Sequence, residues 1–200
     1  MMAPVLILPG LFGSEDAHWQ TAWLRDHPES RLVQQDNWDH PHLSVWRVRL
    51  EAVLEDAGEA YIVAHSLGCL LAASLAGRPS AARVRGALLV APCDLLVTEK
   101  LHPGQIAFGT MPTAELPFPS IVVGSLNDHY MSLDRLTLFA RLWGSELRNA
   151  GLAGHVNVAS GYGRWPGGYR AFETLKARTR HLDKIPPKKP SLGKEASSAW

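Results

Sequence analysis

Residues 60–68, Ala-Tyr-Ile-Val-Ala-His-Ser-Leu-Gly, decide the fold of this chain. Residues 60–64 are a continuous apolar run, which is typical of a short strand that is buried on both faces. Residues 67–76 are helix formers up to Gly77 and Pro79, so a helix is predicted there. The stretch therefore predicts a buried strand that turns sharply at Ser66 and continues as a helix.

The same alternation of strand and helix continues outward from this unit in both directions. Short apolar runs predict strands at residues 5–8, 87–90 and 121–123, and two further short strands are predicted at residues 31–33 and 146–148. Apolar residues at helical spacing predict further helices at residues 18–27, 44–58 with Ser44 as N-cap, 132–143 and 168–181, whereas residues 92–119 are expected to be irregular. Strands that alternate with helices and show little polar alternation predict the α/β class, with a mostly parallel six-stranded sheet and helices on both faces.

The composition fits one compact domain and excludes several classes of protein. Of the 200 residues, 46% are apolar and 20% are charged, which is too apolar for a disordered chain. The net charge is +1, so no nucleic acid and no anionic membrane is expected as a partner. Residues 1–182 are predicted to form the domain, and residues 183–200, a mixture rich in Pro, Lys and Ser, are predicted to be a flexible tail.

The cysteine content and the first residues bear on the compartment. Cys69 and Cys93 are too few for a disulfide framework or a structural zinc site, so a reducing, cytoplasmic location is expected. The apolar run at residues 4–8 is far shorter than the roughly 20 residues that cross a bilayer, and no basic segment precedes it. Neither a membrane anchor nor a signal peptide is expected.

Ser66 is the first candidate for a chemical role. It lies in Ala64-His65-Ser66-Leu67-Gly68, which matches the small-x-Ser-x-Gly pattern of a nucleophile elbow, a strained turn that projects the hydroxyl above the sheet. The helix start at Ser66 also favours negative charge nearby. A serine at a helix start is equally a common N-cap, and these five residues alone leave both interpretations open.

A nucleophilic serine needs a histidine base and an acid that orients it, in the chain order Ser, acid, His for this fold. Asp128 and His155 each follow a predicted strand, so both are expected at the carboxyl ends of strands, where open α/β sheets place ligands. Asp94 follows the strand at residues 87–90 and is a rival for the acid. Other histidines are disfavoured by their positions, namely His18, His65, His102 and His129.

Two backbone N–H groups are expected to form an oxyanion hole. One donor in this architecture is the residue after the nucleophile, here Leu67, and the other comes from the loop after the first strand. Pro9-Gly10 marks a turn in that loop, so Leu11 is the expected second donor and Phe12 is the alternative.

Two other patterns are interpreted as structural. His40-Pro41-His42, with Asp36 and Asp39, has a poor spacing for ligands, and no metal ion or cofactor is expected. Large aromatic residues are more often core than substrate cradle, so packing is the preferred interpretation of Trp38, Trp46, Phe118 and Trp165.

A set of motifs spread over nearly the whole chain carries a family resemblance. The motifs are Leu8-Pro9-Gly10, His18-Trp19, Asn37-Trp38-Asp39-His40-Pro41, Ala64-His65-Ser66-Leu67-Gly68-Cys69, Leu89-Val90-Ala91-Pro92, Pro117-Phe118-Pro119-Ser120, Asn127-Asp128, Gly154-His155-Val156-Asn157 and Ser160-Gly161-Tyr162-Gly163-Arg164-Trp165-Pro166-Gly167. In these motifs the chain resembles the small serine hydrolases of the retinoblastoma-binding protein nine type, a cap-less branch of the α/β-hydrolase superfamily.

This resemblance implies Ser66 as the nucleophile, Asp128 as the orienting acid and His155 as the general base. The chain departs from the family pattern at Ala64, where many relatives have Gly, and at His129, where the family commonly has Pro.

The sequence thus predicts a cap-less α/β-hydrolase domain, with strand order 2-1-3-4-5-6, that cleaves small carboxylic esters through an acyl-serine intermediate. Esters come first because their leaving groups are good, and thioester and peptide bonds stay open. Residues 94–119 are expected to shape an accessible pocket for a small acyl substrate. The alternative is a protein-binding module that keeps the fold without turnover, since fold does not settle function.

Overall fold

A single six-stranded sheet forms the centre of the computed structural model, which describes residues 3–182. The strands lie in the order β2-β1-β3-β4-β5-β6, and each neighbouring pair is parallel. Their bounds are β1 (Val5–Leu8), β2 (Ser30–Leu32), β3 (Ala60–His65), β4 (Val84–Val90), β5 (Ser120–Gly124) and β6 (Glu146–Asn149). The predicted α/β class and strand order are both confirmed, and the sheet is parallel throughout.

Six α-helices connect or follow these strands in the described part of the chain. They are α1 (Trp19–Asp26), α2 (Leu43–Ala57), α3 (Leu67–Ala73), α4 (Leu95–Leu101), α5 (Leu133–Leu142) and α6 (Pro166–Leu182). Two 3₁₀ turns, Pro79–Arg83 and Val158–Ser160, complete the secondary structure.

The helices cover both faces of the sheet, as predicted. Successive side chains of a strand point to opposite faces. On β3, Ile62 joins the core that includes side chains of α2, α3 and α5, whereas Val63 joins the core that includes side chains of α1 and α6. Because both faces of the central strands β1, β3, β4 and β5 are buried, these strands are largely apolar in the sequence, whereas the edge strands β2 and β6 are partly exposed.

The register of the strands brings their carboxyl ends to one edge of the sheet. Leu8 at the end of β1 pairs with Ala64, and His65 at the end of β3 pairs with Val90. Farther along the sheet, Gly124 at the end of β5 pairs with Asn149 at the end of β6. The loops that follow these strands therefore open at the same edge, where ligands of parallel sheets bind.

The prediction of an irregular span at residues 92–119 is wrong in part, because Leu95–Leu101 forms α4. Asp94 caps this helix, and its side-chain oxygen accepts the N–H of Leu96 at 2.9 Å. A helix of this length gives too short a window for helical periodicity to be recognised. The capping Asp94 was the local signal that could have found it.

Several element ends differ from the prediction by a few residues. The predicted N-cap Ser44 lies inside α2, which begins at Leu43, and its hydroxyl bonds His42 Nδ1 at 2.9 Å instead. α3 ends at Ala73 rather than at residue 76. α6 begins at Pro166 rather than at residue 168, because a proline at the first helical position lacks only an N–H that would have no helical partner.

The predicted tail at residues 183–200 lies outside the described residues. None of the helices between residues 3 and 182 combines the length and the apolar character that a membrane span requires.

Candidate active site

Ser66 lies in the turn between β3 and α3 with a strained backbone. Its φ of 54° and ψ of −122° are unusual for a residue with a side chain. Its side chain makes no capping hydrogen bond to α3, so the interpretation of Ser66 as a simple N-cap is wrong. Gly68 allows the turn to sit against β1, because a Cβ at this position would collide with the carbonyl oxygens of Leu8 and Pro9. The turn therefore has the form of a nucleophile elbow.

His155 connects the Ser66 hydroxyl to a carboxylate. His155 Nε2 lies 3.0 Å from Ser66 Oγ, and His155 Nδ1 lies 3.0 and 2.9 Å from the two carboxylate oxygens of Asp128. In the neutral tautomer that fits both contacts, Nδ1–H donates to Asp128 and Nε2 accepts from the serine hydroxyl. This arrangement allows the imidazole to take the serine proton while the carboxylate stabilises the resulting cation.

Asp128, rather than its rival Asp94, is the acid beside His155. The loop after β5 carries Asp128, and one of its carboxylate oxygens also accepts the N–H of Tyr130 at 2.9 Å. Asp94 caps α4 and forms an ion pair with Arg135 on α5. The side chains of His155 and Asp128 are 4% and 3% exposed, so their contact is shielded from water.

Backbone strain is concentrated around this site. Among residues 3–182, four residues other than glycine have a positive φ: Phe12, Ser66, Ala91 and Val156. Phe12 lies in the loop after β1, Ala91 directly follows β4, and Val156 lies in the loop after β6. Strained backbone of this kind persists where the surrounding structure holds it, and it clusters at functional sites.

A cavity of about 320 Å³ opens beside the Ser66 hydroxyl. Its walls come from loops at the carboxyl edge of the sheet and from α4, and they are lined by Leu11, Phe12, Gly13, Glu15, His18, His65, Ser66, Thr98, His102, Tyr130, His155 and Asn157. The span 94–119 contributes Thr98 and His102 to this lining, as expected.

The four aromatic residues that were considered as a substrate cradle, Trp38, Trp46, Phe118 and Trp165, are absent from this lining. Trp46 and Phe118 are buried in the core. The packing interpretation of those two is confirmed.

A family model described as serine hydrolase matches residues 5–174. The chain belongs to the serine hydrolase family. No match was found among curated proteins.

Solved structures support the same family and fold for this serine hydrolase. A protein from Pectobacterium atrosepticum named as a YdeN-like hydrolase is 30% identical, with a TM-score of 0.75 over 87% of this chain and 91% of the other. The ydeN gene product of Bacillus subtilis is 21% identical, with a TM-score of 0.70 over 88% of this chain and 100% of the other. A Xanthomonas campestris protein of the alpha/beta hydrolase superfamily is 18% identical, with a TM-score of 0.62 over 88% of this chain and 99% of the other. The last two show the shared α/β-hydrolase fold.

The predicted oxyanion donors lie near Ser66 in this serine hydrolase. Leu67 is the first residue of α3, and Leu11 lines the cavity. Neither backbone N–H has an acceptor among residues 3–182. The N–H of the alternative donor, Phe12, already has a partner, since it donates to the carbonyl oxygen of Trp38 at 2.9 Å.

His18 and His65 form an imidazole row with His155 on one side of the cavity. The ring centroids of His18 and His65 are 4.9 Å apart, and those of His65 and His155 are also 4.9 Å apart. Burial, and next the charge of His155, lowers the pKa of His18 to about 4. Burial and then the charges of His155 and His18 hold the pKa of His65 well below its usual value. His65 is therefore neutral at pH 7, and its Nε2–H donates to the carbonyl oxygen of His155 at 2.9 Å.

Tyr130 and His102 also line the cavity. The ring centroids of Tyr130 and His155 are 4.3 Å apart, and the Tyr130 hydroxyl oxygen is 2.8 Å from His102 Nε2. Sequence reasoning set His18, His65 and His102 aside as bases, and it did not identify them as cavity residues. Their positions could have identified them as cavity residues, because each lies at the end of a strand or beside a short helix at the carboxyl edge of the sheet.

Two buried thiols lie behind the site. Cys93 contacts Ser66 and Thr98, and burial raises the pKa of its thiol to about 11. Burial, followed by the proximity of Cys93, raises the pKa of Cys69 well above its usual value. Both thiols are consequently protonated at neutral pH.

Two of the residues in the pattern that resembled a metal site have other side-chain partners. Asp36 forms an ion pair with Arg49, and His42 bonds Ser44. Within residues 3–182, no group of three or more His, Cys, Asp or Glu side chains has an arrangement that could hold a metal ion.

Proposed function

We propose that this serine hydrolase cleaves small carboxylic esters through an acyl-serine intermediate, with Ser66 as nucleophile, His155 as general base and Asp128 as orienting acid. The observation that carries the proposal is the continuous hydrogen-bonded row from Ser66 Oγ through His155 to Asp128, beside an open cavity. A serine, a base and an orienting acid within this reach make up the machinery of nucleophilic acyl transfer.

In the acylation step, His155 Nε2 takes the proton of the Ser66 hydroxyl while the oxygen attacks the ester carbonyl carbon. The carbonyl electron pair moves to the oxygen, which faces the N–H groups of Leu11 and Leu67. Each such donor contributes on the order of 3 kcal/mol to stabilising the transition state. When the carbon–oxygen bond to the alcohol breaks, His155 gives its proton to the leaving alkoxide, and acyl-Ser66 remains.

In the deacylation step, water replaces the alcohol. His155 removes a proton from the water molecule while the water oxygen attacks the acyl carbon. His155 then gives this proton to Ser66 Oγ as the carboxylic acid product leaves. Asp128 remains ionised and holds the imidazole in the tautomer that presents Nε2 to the serine.

Esters are favoured over amides because an alcohol leaves more readily than an amine and asks less of the site. The size of the cavity favours small substrates, since pockets for drug-sized molecules are usually about 300–1,000 Å³ and this one lies near the lower end. A thioesterase or peptidase would use the same machinery. The closer likeness to retinoblastoma-binding protein nine and the cytoplasmic location are part of the proposal and rest on the sequence.

A protein-binding module without turnover is the competing function. The site favours the enzyme, because binding a partner at the surface gives no reason for a buried His155–Asp128 contact directed at a strained serine. Fold alone would not separate these two functions.

The decisive experiment combines covalent labelling with turnover. A fluorophosphonate probe and 4-nitrophenyl acetate should be applied to the wild type, Ser66→Ala, His155→Ala and the control Ser44→Ala, whose serine is exposed outside the cavity. Ser66→Ala should abolish labelling, and both Ser66→Ala and His155→Ala should lower kcat by roughly 10⁶ with the fold intact. Labelling or near-normal turnover in Ser66→Ala would refute the assignment, and a wild type that neither labels nor turns over would favour the binding module.

A further inference from the structure

His18, which lines the cavity, carries a side-chain hydrogen-bond donor that has no acceptor among residues 3–182. Its Nδ1 accepts the N–H of Gln20 at 3.2 Å, so in the neutral ring the proton is on Nε2. The residue is only 4% exposed and lines the cavity beside Ser66. Nε2 has no hydrogen-bond partner among residues 3–182. A neutral imidazole fixed in one tautomer can act as a donor to a polarised oxygen.

Asn157 supplies a second donor with a fixed orientation. Its Oδ1 accepts the backbone N–H of Ser160 at 3.0 Å and the Ser160 hydroxyl at 2.8 Å. These bonds determine which end of the amide is oxygen, so the NH₂ group is the free end. Asn157 also lines the cavity, and its NH₂ group has no acceptor within the described residues.

The two donors belong to segments that are tied together. Trp19, next to His18, donates its indole N–H to the carbonyl oxygen of Val156, next to Asn157, at 2.8 Å. Trp19 is 1% exposed, so this link is buried and stable. The loops that carry His18 and Asn157 are therefore held in a fixed relation before any substrate enters, which lowers the cost of binding.

Resting on the function proposed above, we infer that His18 Nε2–H and the Asn157 NH₂ group bind an uncharged oxygen acceptor in the alcohol part of the ester, such as an amide carbonyl. Asn157 is held next to His155 by Ser160, whose hydroxyl accepts the His155 N–H at 3.1 Å and donates to Asn157 Oδ1 at 2.8 Å. Because His155 Nε2 must face the departing alcohol oxygen, the donors are assigned to that side of the substrate. Glu15 also lines the cavity, and its carboxylate disfavours an anionic group. The substrate class is thus a small ester of an alcohol that carries a neutral carbonyl.

Three acetate esters test this specificity: those of glycolamide, isobutanol and glycolate. The first two have alcohol parts of similar shape, and only the first has a neutral carbonyl; the third has a carboxylate. The quantity measured is kcat/KM, from acetate release, divided by the rate constant for hydroxide-catalysed hydrolysis of the same ester. For the wild type, this normalised value should be at least about tenfold higher for the glycolamide ester than for either other ester.

Two variants remove one donor each while keeping its structural contact. Asn157→Asp keeps the oxygen that accepts from Ser160 and replaces the NH₂ group by an acceptor. His18→Asn keeps an oxygen that can cap α1 but withdraws the donor, because the amide is shorter than the imidazole. Each should lower the selectivity for glycolamide acetate over isobutyl acetate about tenfold. His40→Asn, a change of an exposed histidine outside the cavity, is the matched control and should leave the selectivity unchanged.

The outcomes separate this inference from the proposed function. Ser66→Ala that hydrolyses the esters normally would overturn the proposed function. If Ser66→Ala is inactive but the selectivity is the same in folded Asn157→Asp, folded His18→Asn and the wild type, only the donor assignment is wrong. A preference of the wild type for the glycolate ester would overturn the requirement for an uncharged acceptor. Thermal melting of each variant establishes that it is folded, and unchanged selectivity in one folded variant overturns the assignment of the donor that it lacks.

Discussion

Gly10 and Ser66 approach each other so closely that position 10 has no room for a side chain. A Cβ built on Gly10 would lie 2.7 Å from the Cβ of Ser66 and 3.2 Å from its hydroxyl oxygen. The loop after β1 is thereby packed against the elbow, which places the neighbouring Leu11 at the cavity. The glycine at this position is required by contact with another part of the chain.

The main effect of Gly10→Ala should therefore be a loss of esterase activity, measured as kcat/KM. The loss of thermal stability, measured as Tm, should be the smaller effect. The added methyl group forces Ser66 or the loop to move, and a displacement of about 1 Å can cost roughly 100-fold in rate. The measurement is kcat/KM for 4-nitrophenyl acetate, with Tm recorded alongside. Gly163→Ala is the control, because its Cβ would meet only the Ala17 carbonyl oxygen at 3.4 Å, an ordinary contact. Equal activities of the two variants would contradict the steric argument.

The two candidate acids should respond differently to amidation. Asp128→Asn should lower kcat by about 10⁴, because the amide no longer stabilises the imidazolium and favours the wrong tautomer of His155. Asp94→Asn keeps an oxygen that can cap α4 and should affect kcat far less, with a loss of stability from the broken ion pair with Arg135. Steady-state kinetics measure kcat for both variants, and thermal melting measures their stability. The opposite ranking of kcat would assign the acid to Asp94.

Cys69 and Cys93 should resist thiol reagents in the folded protein. Both side chains are fully buried, and their raised pKa values leave almost no thiolate at pH 8. Ellman's reagent should detect essentially no free thiol in the native protein and both thiols in guanidinium chloride. Rapid native labelling that is absent in Cys93→Ala would contradict the burial of Cys93.

Acidification below pH 6.5 should destabilise the protein through His18 and His65. The pKa of His18 is about 4 in the folded state and about 6.5 in the unfolded state, so between these values the unfolded chain binds more protons. The free energy of unfolding should then fall as pH falls, by up to about 1.4 kcal/mol per pH unit from His18, with no contribution above pH 6.5. The lowered pKa of His65 acts in the same direction.

Urea denaturation at pH 7, 6 and 5 measures this dependence. The control is His18→Asn, which removes one titrating group while an oxygen can still cap α1, so its stability should fall less steeply with pH. Identical slopes for the variant and the wild type would show that His18 is not kept neutral by folding.

The sequence alone determined the class of fold and the identity of the turn that bears Ser66. A strand that is buried on both faces is apolar at successive positions. The apolar run at residues 60–64 therefore indicates a central strand, even when the neighbouring strands are not known. The elbow is also local, because its strained turn requires small residues within the same five positions. His155 and two candidate acids followed from their positions after strands.

The family resemblance favoured Asp128, but only the tertiary structure shows which acid contacts His155 and which residues make up the rest of the cavity. Asp94 and Asp128 each come shortly after a strand, but in the tertiary structure Asp94 lies against Arg135 and Asp128 lies against His155. The contacts of His155 join residues 27 and 89 positions apart in the chain, and such distances depend on strand order and loop paths. The free donors of His18 and Asn157 are equally invisible in sequence, since a side-chain group is free only when packing has already given partners to its other atoms.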